Sequence, residues 1–412
     1  MLVNQFTLGM LLVSAEMINI FYSGWRLGAL SFYIWFPFVF SGFCYFFGMN
    51  REPAVVALVF LSIAALFIYY VIGGKLGPVQ ISAVDCIFGL LVLLMTQSLL
   101  LSGNIFSINS WFLFAYVLMP YLIGRTLACG ESRRVVLVNF VLLFSALIFL
   151  SLFSAYKDGM VSRASVFGSA SNSIPLSIVI AFFSSYLLSF KNYSVRFSVY
   201  LIGLSFAFGV LAGVLAPRWL LLAQLSIFVG VLWLQKGIKF EGKLIFSSLI
   251  GFFLSISLSQ VKLNFYVSSG IVDGHASLSG LGEVGGSMME RHLMINNGVE
   301  LFLGNILYGV GVGNFDKFFG VAENSFPHMS LVQIFAELGI FGGGLWLSFV
   351  IFILYKLVLH VRADSKHLPY FSILLFGLIF SLFHGNYLTD KLIYIAAGYV
   401  ASLQVIFHAR AK

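Results

Sequence analysis

The stretch 327-PHMSLVQIFAELGIFG-342 joins a long polar, glycine-rich segment to an apolar run that continues to residue 356. The polar segment before it carries arginine, histidine and several carboxylates, although only 9% of the residues in the chain are charged. Charged groups are costly in lipid, so a membrane protein keeps them where water or a substrate reaches them. We therefore expect the chemistry of this chain to lie where the polar segment meets the apolar run.

The composition predicts an all-α polytopic integral membrane protein. Hydrophobic residues make up 60% of the chain and its mean hydropathy is +1.01, whereas soluble domains carry about 25% charged residues. Backbone polar groups must be paired internally in lipid, and the apolar runs are too long and too continuous for barrel strands. Helices are the structure that meets both conditions.

The apolar runs predict about 12 transmembrane helices, because each run approaches the roughly 20 residues that cross a bilayer. Three regions follow: transmembrane helices with short loops over 1–262, one large loop over 263–336, and the C-terminal transmembrane helices over 337–412. Five of the runs lie near 83–102, 109–126, 337–356, 369–386 and 391–408.

The net charge of +8 has a membrane explanation. Most Lys and Arg residues fall in loops on one side if the spans alternate, and such loops are usually cytoplasmic. The large loop then lies on the opposite, outer side of the membrane, and nucleic acid is not an expected partner. The first residues lack a basic segment and a cleavage site, so no removable signal peptide is predicted. The three cysteines, the histidines and the carboxylates show no metal-ligand spacing, which predicts no metal or other cofactor.

The large loop has predictable local structure. Ser287 and Glu290 stand at the spacing of a capping box, which predicts a helix that runs to Gly298 or beyond. A flexible turn follows in 309-GVGVGN-314. Its glycine spacing resembles a nucleotide-binding loop, but it follows no strand of a βαβ unit, so nucleotide binding is not expected.

Three residues are candidates for catalysis, each with a structural alternative. Arg218 lies between two apolar runs, where its guanidinium could bind a phosphate or could extend to lipid headgroups. Arg291 lies in the first turn of the predicted loop helix, where a cation opposes the helix dipole; it is a ligand group or a solvated arginine. His328 is a general base or a histidine that caps the following helix.

Four stretches together resemble the O-antigen ligase/polymerase superfamily of bacterial membrane glycosyltransferases. They are 163-RASVFGSASN-172, 215-LAPRWLLL-222, the loop from Arg291 to 310-VGVGNF-315, and 328-HMSLVQIFAELGIFG-342. Met329 stands where the family often has Asn, and Pro217 stands where it often has Ser. These departures weigh against the ligase branch in particular.

The resemblance implies a metal-independent, inverting glycosyltransferase of the bacterial inner membrane with its site on the periplasmic face. Its donor would be an undecaprenyl-diphosphate-linked oligosaccharide held in the membrane lipid. Arg218 and Arg291 would hold the pyrophosphate, and His328 would accept the proton of the acceptor hydroxyl. Substrate-binding groups would be Arg163, Asn172 and Glu337.

Within this reading, an O-antigen polymerase, acting with a chain-length regulator, is preferred to an O-antigen ligase that uses lipid A-core as acceptor. A polysaccharide flippase or other transporter is a third possibility, because it also has about a dozen helices. Carboxylates inside the apolar runs are nearly absent, Glu16 and Asp85 being the clear cases. This scarcity weighs against transport, because transporters often carry charged groups within the membrane.

Overall fold

The computed structural model describes residues 81–104, 107–127, 292–319, 327, 329–364, 367–383 and 385–410, with isolated helical positions between 202 and 254. Every regular element in these residues is a helix, as the composition predicted. The chain divides into two compact units, the first being Met1–Gln80, Thr126–Ser259 and Asp364–Ser372, and the second Ile81–Arg125, Gln260–Ala363 and Ile373–Lys412. Nearly all of the described structure belongs to the second unit.

The continuous described ranges form eight helices and one π-helical segment. They are α1 (Ala83–Leu101), α2 (Ile108–Phe112), the π segment (Leu113–Leu118), α3 (Met119–Leu127), α4 (292–304), α5 (Phe315–Phe319), α6 (Ser330–Ala363), α7 (Leu368–Phe383) and α8 (Lys391–Arg410). Helix α4 confirms that a loop helix continues beyond Gly298, whereas the capping box proposed for its start lies outside the described residues.

The long described helices lie where the apolar runs predicted them. Among the described residues, α1 and α6 are long and apolar enough to cross a bilayer. The segments Tyr370–Phe383 and Lys391–Leu403 are shorter apolar helices. These features indicate membrane association; the total of about 12 spans and the periplasmic position of the large loop stay predictions.

Phe88 lies at the centre of the core of the second unit. Its ring stacks on Tyr121 with centroids 3.7 Å apart, and it also approaches the rings of Phe349 and Tyr394 at 6.0 and 6.2 Å. These partners come from α3, α6 and α8, so one side chain of α1 joins four helices. The contacts of Phe88 with Phe349 and Tyr394 lie in the range of ring separations that adds stability beyond the area buried.

Helix α6 is interrupted at Gly339, where φ is 65° and ψ is −165°. These angles lie in a region that is accessible essentially to glycine alone. The break separates a short helix, residues 330–338, from a 24-residue helix over 340–363, which is about 36 Å long at 1.5 Å per residue. The apolar run is predicted to begin at residue 337, but its continuous helix begins at residue 340, directly after the break.

Candidate site at the break in helix α6

The glycine-rich loop closes the C-terminal end of the short helix in α6. The amides of Val310 and Gly311 donate to the carbonyl oxygens of Ala336 and Glu337, both at 2.9 Å. The amide of Ile340, just beyond the break, donates to the carbonyl of Ile306 at 2.8 Å. Carbonyls at a helix end need external partners, and here the loop backbone supplies them.

The loop is held from its other side by α1 and the residues after it. The buried Asn104 side chain donates to the carbonyl of Val312 and to Oδ1 of Asn314, both at 2.8 Å, and accepts from Nζ of Lys317 at 2.8 Å. The amide of Val312 donates to Oγ of Ser98 at 3.0 Å. The turn predicted at 309–314 is therefore present. It is hydrogen-bonded to α6 on one side and to α1 and Asn104 on the other, although the sequence predicts a flexible turn.

These bonds also bear on nucleotide binding. A phosphate-binding loop needs backbone amides that point at the ligand. Here the amides of residues 309–312 and 314 all donate to protein acceptors. The arrangement agrees with the expectation that the glycine spacing is not a nucleotide site.

One face of the short helix in α6 is polar although it is buried. Ser330, Gln333 and Glu337 are spaced so that they lie on one side of the helix, and all three are buried, Glu337 being only 1% exposed. Buried polar groups in an apolar surrounding are expensive unless they are hydrogen-bonded. Ser330 and Glu337 have partners in the segment 385–390, which joins α7 to α8, and Gln333 donates to Glu337.

Glu337 binds this segment through one carboxylate oxygen and Gln333 of its own helix through the other. Its Oε2 accepts from the hydroxyl of Tyr387 at 2.6 Å, and its Oε1 accepts from Nε2 of Gln333 at 3.3 Å. Burial, together with the neighbouring Glu337 carboxylate, raises the pKa of Tyr387 well above its usual value, so this hydroxyl stays a donor. Oε1 of Gln333 has no hydrogen-bond partner among the described residues.

The chain of hydrogen bonds continues into α8 and the long part of α6. The hydroxyl of Tyr394 donates to the carbonyl of Tyr387 at 2.9 Å and accepts from Nε1 of Trp346 at 3.4 Å. Glu337, before the break in α6, is thereby connected through Tyr387 and Tyr394 to Trp346, after the break. A connected, buried network of this kind favours one arrangement of the helices over others.

Asp390 forms the second contact between the turn and the start of α6. Its Oδ2 accepts from the hydroxyl of Ser330 at 2.6 Å, whereas its Oδ1 has no partner at hydrogen-bonding geometry among the described residues. Burial raises the pKa of Asp390 to about 7, against an opposing effect of the Ser330 and Ser381 hydroxyls. Gly385 leaves room for this carboxyl, because a β-carbon there would lie 2.5 Å from Oδ1.

A second polar cluster lies at the start of α1. Asp85 completes a capping box with Ser82, and its Oδ1 accepts from Tyr121 at 2.7 Å and from Nε of Arg125 at 2.6 Å. Its Oδ2 accepts from NH2 of Arg125 at 2.5 Å, which makes the ion pair bidentate. Asp85 is one of the two carboxylates that clearly lie inside the apolar runs, and these bonds give it a structural role.

The structure describes one of the six residues predicted for the site. Glu337 is buried and bonded to protein groups, so its contact with substrate stays a prediction. The other five lie outside the described residues: His328, Arg291, Arg218, Arg163 and Asn172. Ser330, which bonds Asp390, is nevertheless only two residues beyond His328 in the chain.

Sequence reasoning missed the contribution of the segment 385–390. Tyr387 and Asp390 are buried, although they stand in what hydropathy marks as a short connection between two apolar runs, and Lys391, the first residue of the second run, is buried as well. A signal was present, because adjacent Asp and Lys residues at the edge of an apolar run usually have a partner inside the protein. Identifying that partner required the tertiary structure.

The arrangement joins the residues that follow His328 to a buried turn and to the glycine loop, which gives that part of the chain a defined position. Such a scaffold suits a site whose reacting groups must be held accurately. No protein-family model matches this chain, and comparison with curated proteins also gave no match. The resemblance to the O-antigen superfamily therefore rests on the four stretches of sequence described above.

Proposed function

We propose that this protein is an O-antigen polymerase, which transfers a growing undecaprenyl-diphosphate-linked glycan to the next lipid-linked repeat unit at the periplasmic face of the inner membrane. One observation carries most of the weight. The segment after His328 is anchored by two buried carboxyl groups, Glu337 and Asp390, inside an apolar assembly of helices. Buried ionisable groups in a membrane protein usually serve function, because their burial is costly.

In this mechanism the acceptor sugar hydroxyl attacks the anomeric carbon of the donor. His328 takes the proton of that hydroxyl, and the bond from the anomeric carbon to the pyrophosphate oxygen breaks with inversion. Arg218 and Arg291 stabilise the negative charge that develops on the departing lipid pyrophosphate. Pyrophosphate is a good leaving group, so the reaction requires neither a nucleotide nor a metal.

The remaining predicted residues bind and position. Arg163 and Asn172 would contact the glycan or its pyrophosphate. Glu337 faces protein groups in the structure, so we assign it a positioning role through Tyr387 and the turn that contacts Ser330. Asp390 supports the same end of α6.

Two other functions, an O-antigen ligase and a transporter, are also tested. An O-antigen ligase would use the same donor and the same three catalytic residues with lipid A-core as acceptor. A flippase or other transporter is favoured by one structural feature, because helices broken near buried carboxylates are common at transport sites. The break at Gly339 beside Glu337 has this form.

The decisive experiment is a lipopolysaccharide gel from a strain that lacks the gene, complemented with the wild type or with His328→Ala. Core that carries a single repeat unit in the mutant supports the polymerase. Bare core with long chains still on the polyprenyl carrier supports the ligase. An unchanged ladder excludes both and directs attention to another glycan or to transport.

Matched variants test the residue roles. We expect Arg218→Ala, Arg291→Ala and His328→Ala each to abolish glycan assembly while the protein still inserts in the membrane. Normal assembly in any one of them removes that residue from the mechanism. Glu337→Gln should lower the rate of assembly, whereas Glu300→Gln, a carboxylate exposed on α4, should not.

A further inference from the structure

Six apolar side chains form an exposed surface where the large loop meets α6. We call it the apolar ridge, and its residues are between 47% and 77% exposed: Leu303, Ile306, Leu307, Tyr308, Ile340 and Phe341. None of them is charged. Soluble monomers rarely expose a contiguous apolar surface made of so many large side chains.

The ridge is one continuous surface. The amide of Ile340 donates to the carbonyl of Ile306 at 2.8 Å, and Gly339 lies against the carbonyl of Leu307. The rings of Tyr308 and Phe341 have centroids 6.0 Å apart. The loop residues of the ridge are therefore fixed to the beginning of the long part of α6.

The ridge continues into an exposed apolar stripe along α6. Leu347 is exposed two helical turns after Ile340, and the exposed Ile351, Tyr355 and Leu359 follow it at intervals of about one turn. From Ile340 to Leu359 the stripe is about 28 Å long at 1.5 Å per residue, close to the ~30 Å thickness of the hydrocarbon core. This side of α6 has the dimensions of a lipid-facing surface.

Helix α4 changes character as it approaches the ridge. In its first nine residues the exposed side chains are mixed: His292, Leu293, Asn296, Val299 and Glu300. From Leu303 to Tyr308 the one exposed polar side chain is Asn305. Tyr308 is 77% exposed at the end of this gradient, and tyrosine is enriched where hydrocarbon meets the headgroups.

We propose that residues 303–308 are inserted in the bilayer at the boundary between hydrocarbon and headgroups, so that the apolar ridge anchors the large loop to the membrane. The occupant of the ridge is lipid acyl chain, because the ridge is continuous with the stripe that faces the same phase along α6. The inference requires only that α6 crosses a bilayer and does not depend on the proposed glycosyl transfer. It places the glycine-rich loop and the buried Glu337 network at the membrane surface.

The test uses the full chain in liposomes of phosphatidylcholine and phosphatidylglycerol, with Cys44, Cys86 and Cys129 replaced by Ser. A nitroxide is attached through Leu303→Cys, Leu307→Cys or Tyr308→Cys. Glu300→Cys is the water-exposed control on α4, and Ile351→Cys is the lipid reference on α6. The measured quantity is the ratio of nitroxide collisions with oxygen, which concentrates in lipid, to collisions with a water-soluble nickel chelate.

We expect the three ridge positions to give a ratio several-fold above that of Glu300→Cys and near that of Ile351→Cys. A ratio equal to that of Glu300→Cys means that the ridge faces water and overturns the proposal. Low collision rates with both reagents mean that a protein covers the ridge, and they overturn it as well. Dipolar broadening in that case would identify a second copy of this chain.

A second measurement needs no substitution. Hydroxyl radicals generated in the aqueous phase label exposed aromatic and histidine side chains of the unaltered chain in the same liposomes. Tyr308 should be labelled several-fold less in liposomes than after the protein is unfolded, whereas the exposed His292 should change little. Equal labelling of Tyr308 in both states contradicts membrane insertion even if a cysteine variant fails to fold.

Discussion

Gly339→Ala should destabilise this protein strongly, although it adds only one methyl group. Gly339 has φ 65° and ψ −165°, a conformation that costs a residue with a side chain on the order of 1–3 kcal/mol. The added β-carbon would also meet the Leu307 backbone, lying 2.5 Å from its carbonyl carbon and 2.6 Å from the amide nitrogen of Tyr308. Neither neighbour is a flexible side chain that can move aside.

Relief of this overlap must separate the loop from the helix end. The bonds at risk are those from Val310 to Ala336, from Gly311 to Glu337 and from Ile340 to Ile306. Each backbone hydrogen bond contributes about 1 kcal/mol net. Together with the backbone strain, loss of all three bonds would lower the free energy of unfolding by about 4–6 kcal/mol.

Gly344→Ala is the matched control, because it makes the same chemical change five residues further along α6. Gly344 is helical, and a β-carbon there meets no atom within 4 Å. Alanine is favoured over glycine in a helix by about 1 kcal/mol, so this variant should be as stable as the wild type or slightly more so.

Thermal unfolding of the purified protein in detergent, followed by loss of the monodisperse peak in size-exclusion chromatography, compares the two variants. We expect Gly339→Ala to be lost at a clearly lower temperature than Gly344→Ala. If both variants melt together, the break at Gly339 is not required by the fold and the reasoning fails.

Three further predictions concern polar groups of the second unit. Burial raises the pKa of Asp390 to about 7, whereas an aspartate in the unfolded chain has a pKa near 3.8. The free energy of unfolding should therefore fall by up to about 4 kcal/mol as the pH rises between these values. Unfolding of Asp390→Asn, measured at pH 4 and pH 8, should show that this pH dependence is gone. Asn104→Ala should cost about 1–3 kcal/mol and speed amide exchange in residues 310–314, because it removes three hydrogen bonds; unchanged exchange would show that the side chain does not hold the loop. Arg125→Leu should lower the free energy of unfolding by about 2 kcal/mol because it leaves Asp85 without its cation, and adding Asp85→Asn should recover part of the loss; no recovery would argue against the ion pair.

Hydropathy and residue spacing predicted the helical part of the fold well. The runs 83–102, 109–126, 369–386 and 391–408 correspond to α1, to the helical stretch from α2 to α3, to α7 and to α8 within a few residues. Periodic or continuous apolar sequence fixes a helix locally, because the backbone bonds of a helix are all internal to it. The turn at 309–314 was predicted for a similar reason, since glycine permits the positive φ seen at Gly309, Gly311 and Gly313.

The chemistry of the candidate site was less accessible to sequence reasoning. The pattern from His328 to Gly342 singled out Glu337, but nothing local predicted that Tyr387 would donate to it or that Asp390 would accept from Ser330. These partners are 50 and 60 residues apart in the chain. Their contact depends on how α6 and α8 pack, and a single sequence contains no direct record of that packing.

For the part of the chain that the structure describes, the sequence alone therefore determined the all-helical class, the positions of the long apolar helices and the glycine-rich turn. Each follows from interactions among residues close in the chain. Only the tertiary structure decided that α6 breaks at Gly339, because that break is held by the backbone of residues 306–311. The tertiary structure likewise decided that Glu337 is buried with Tyr387 of the turn before α8 as its partner, and that Asp390 of that turn is buried with Ser330 of α6. Hydrogen bonds between distant segments form only when packing brings donor and acceptor within about 3 Å of each other.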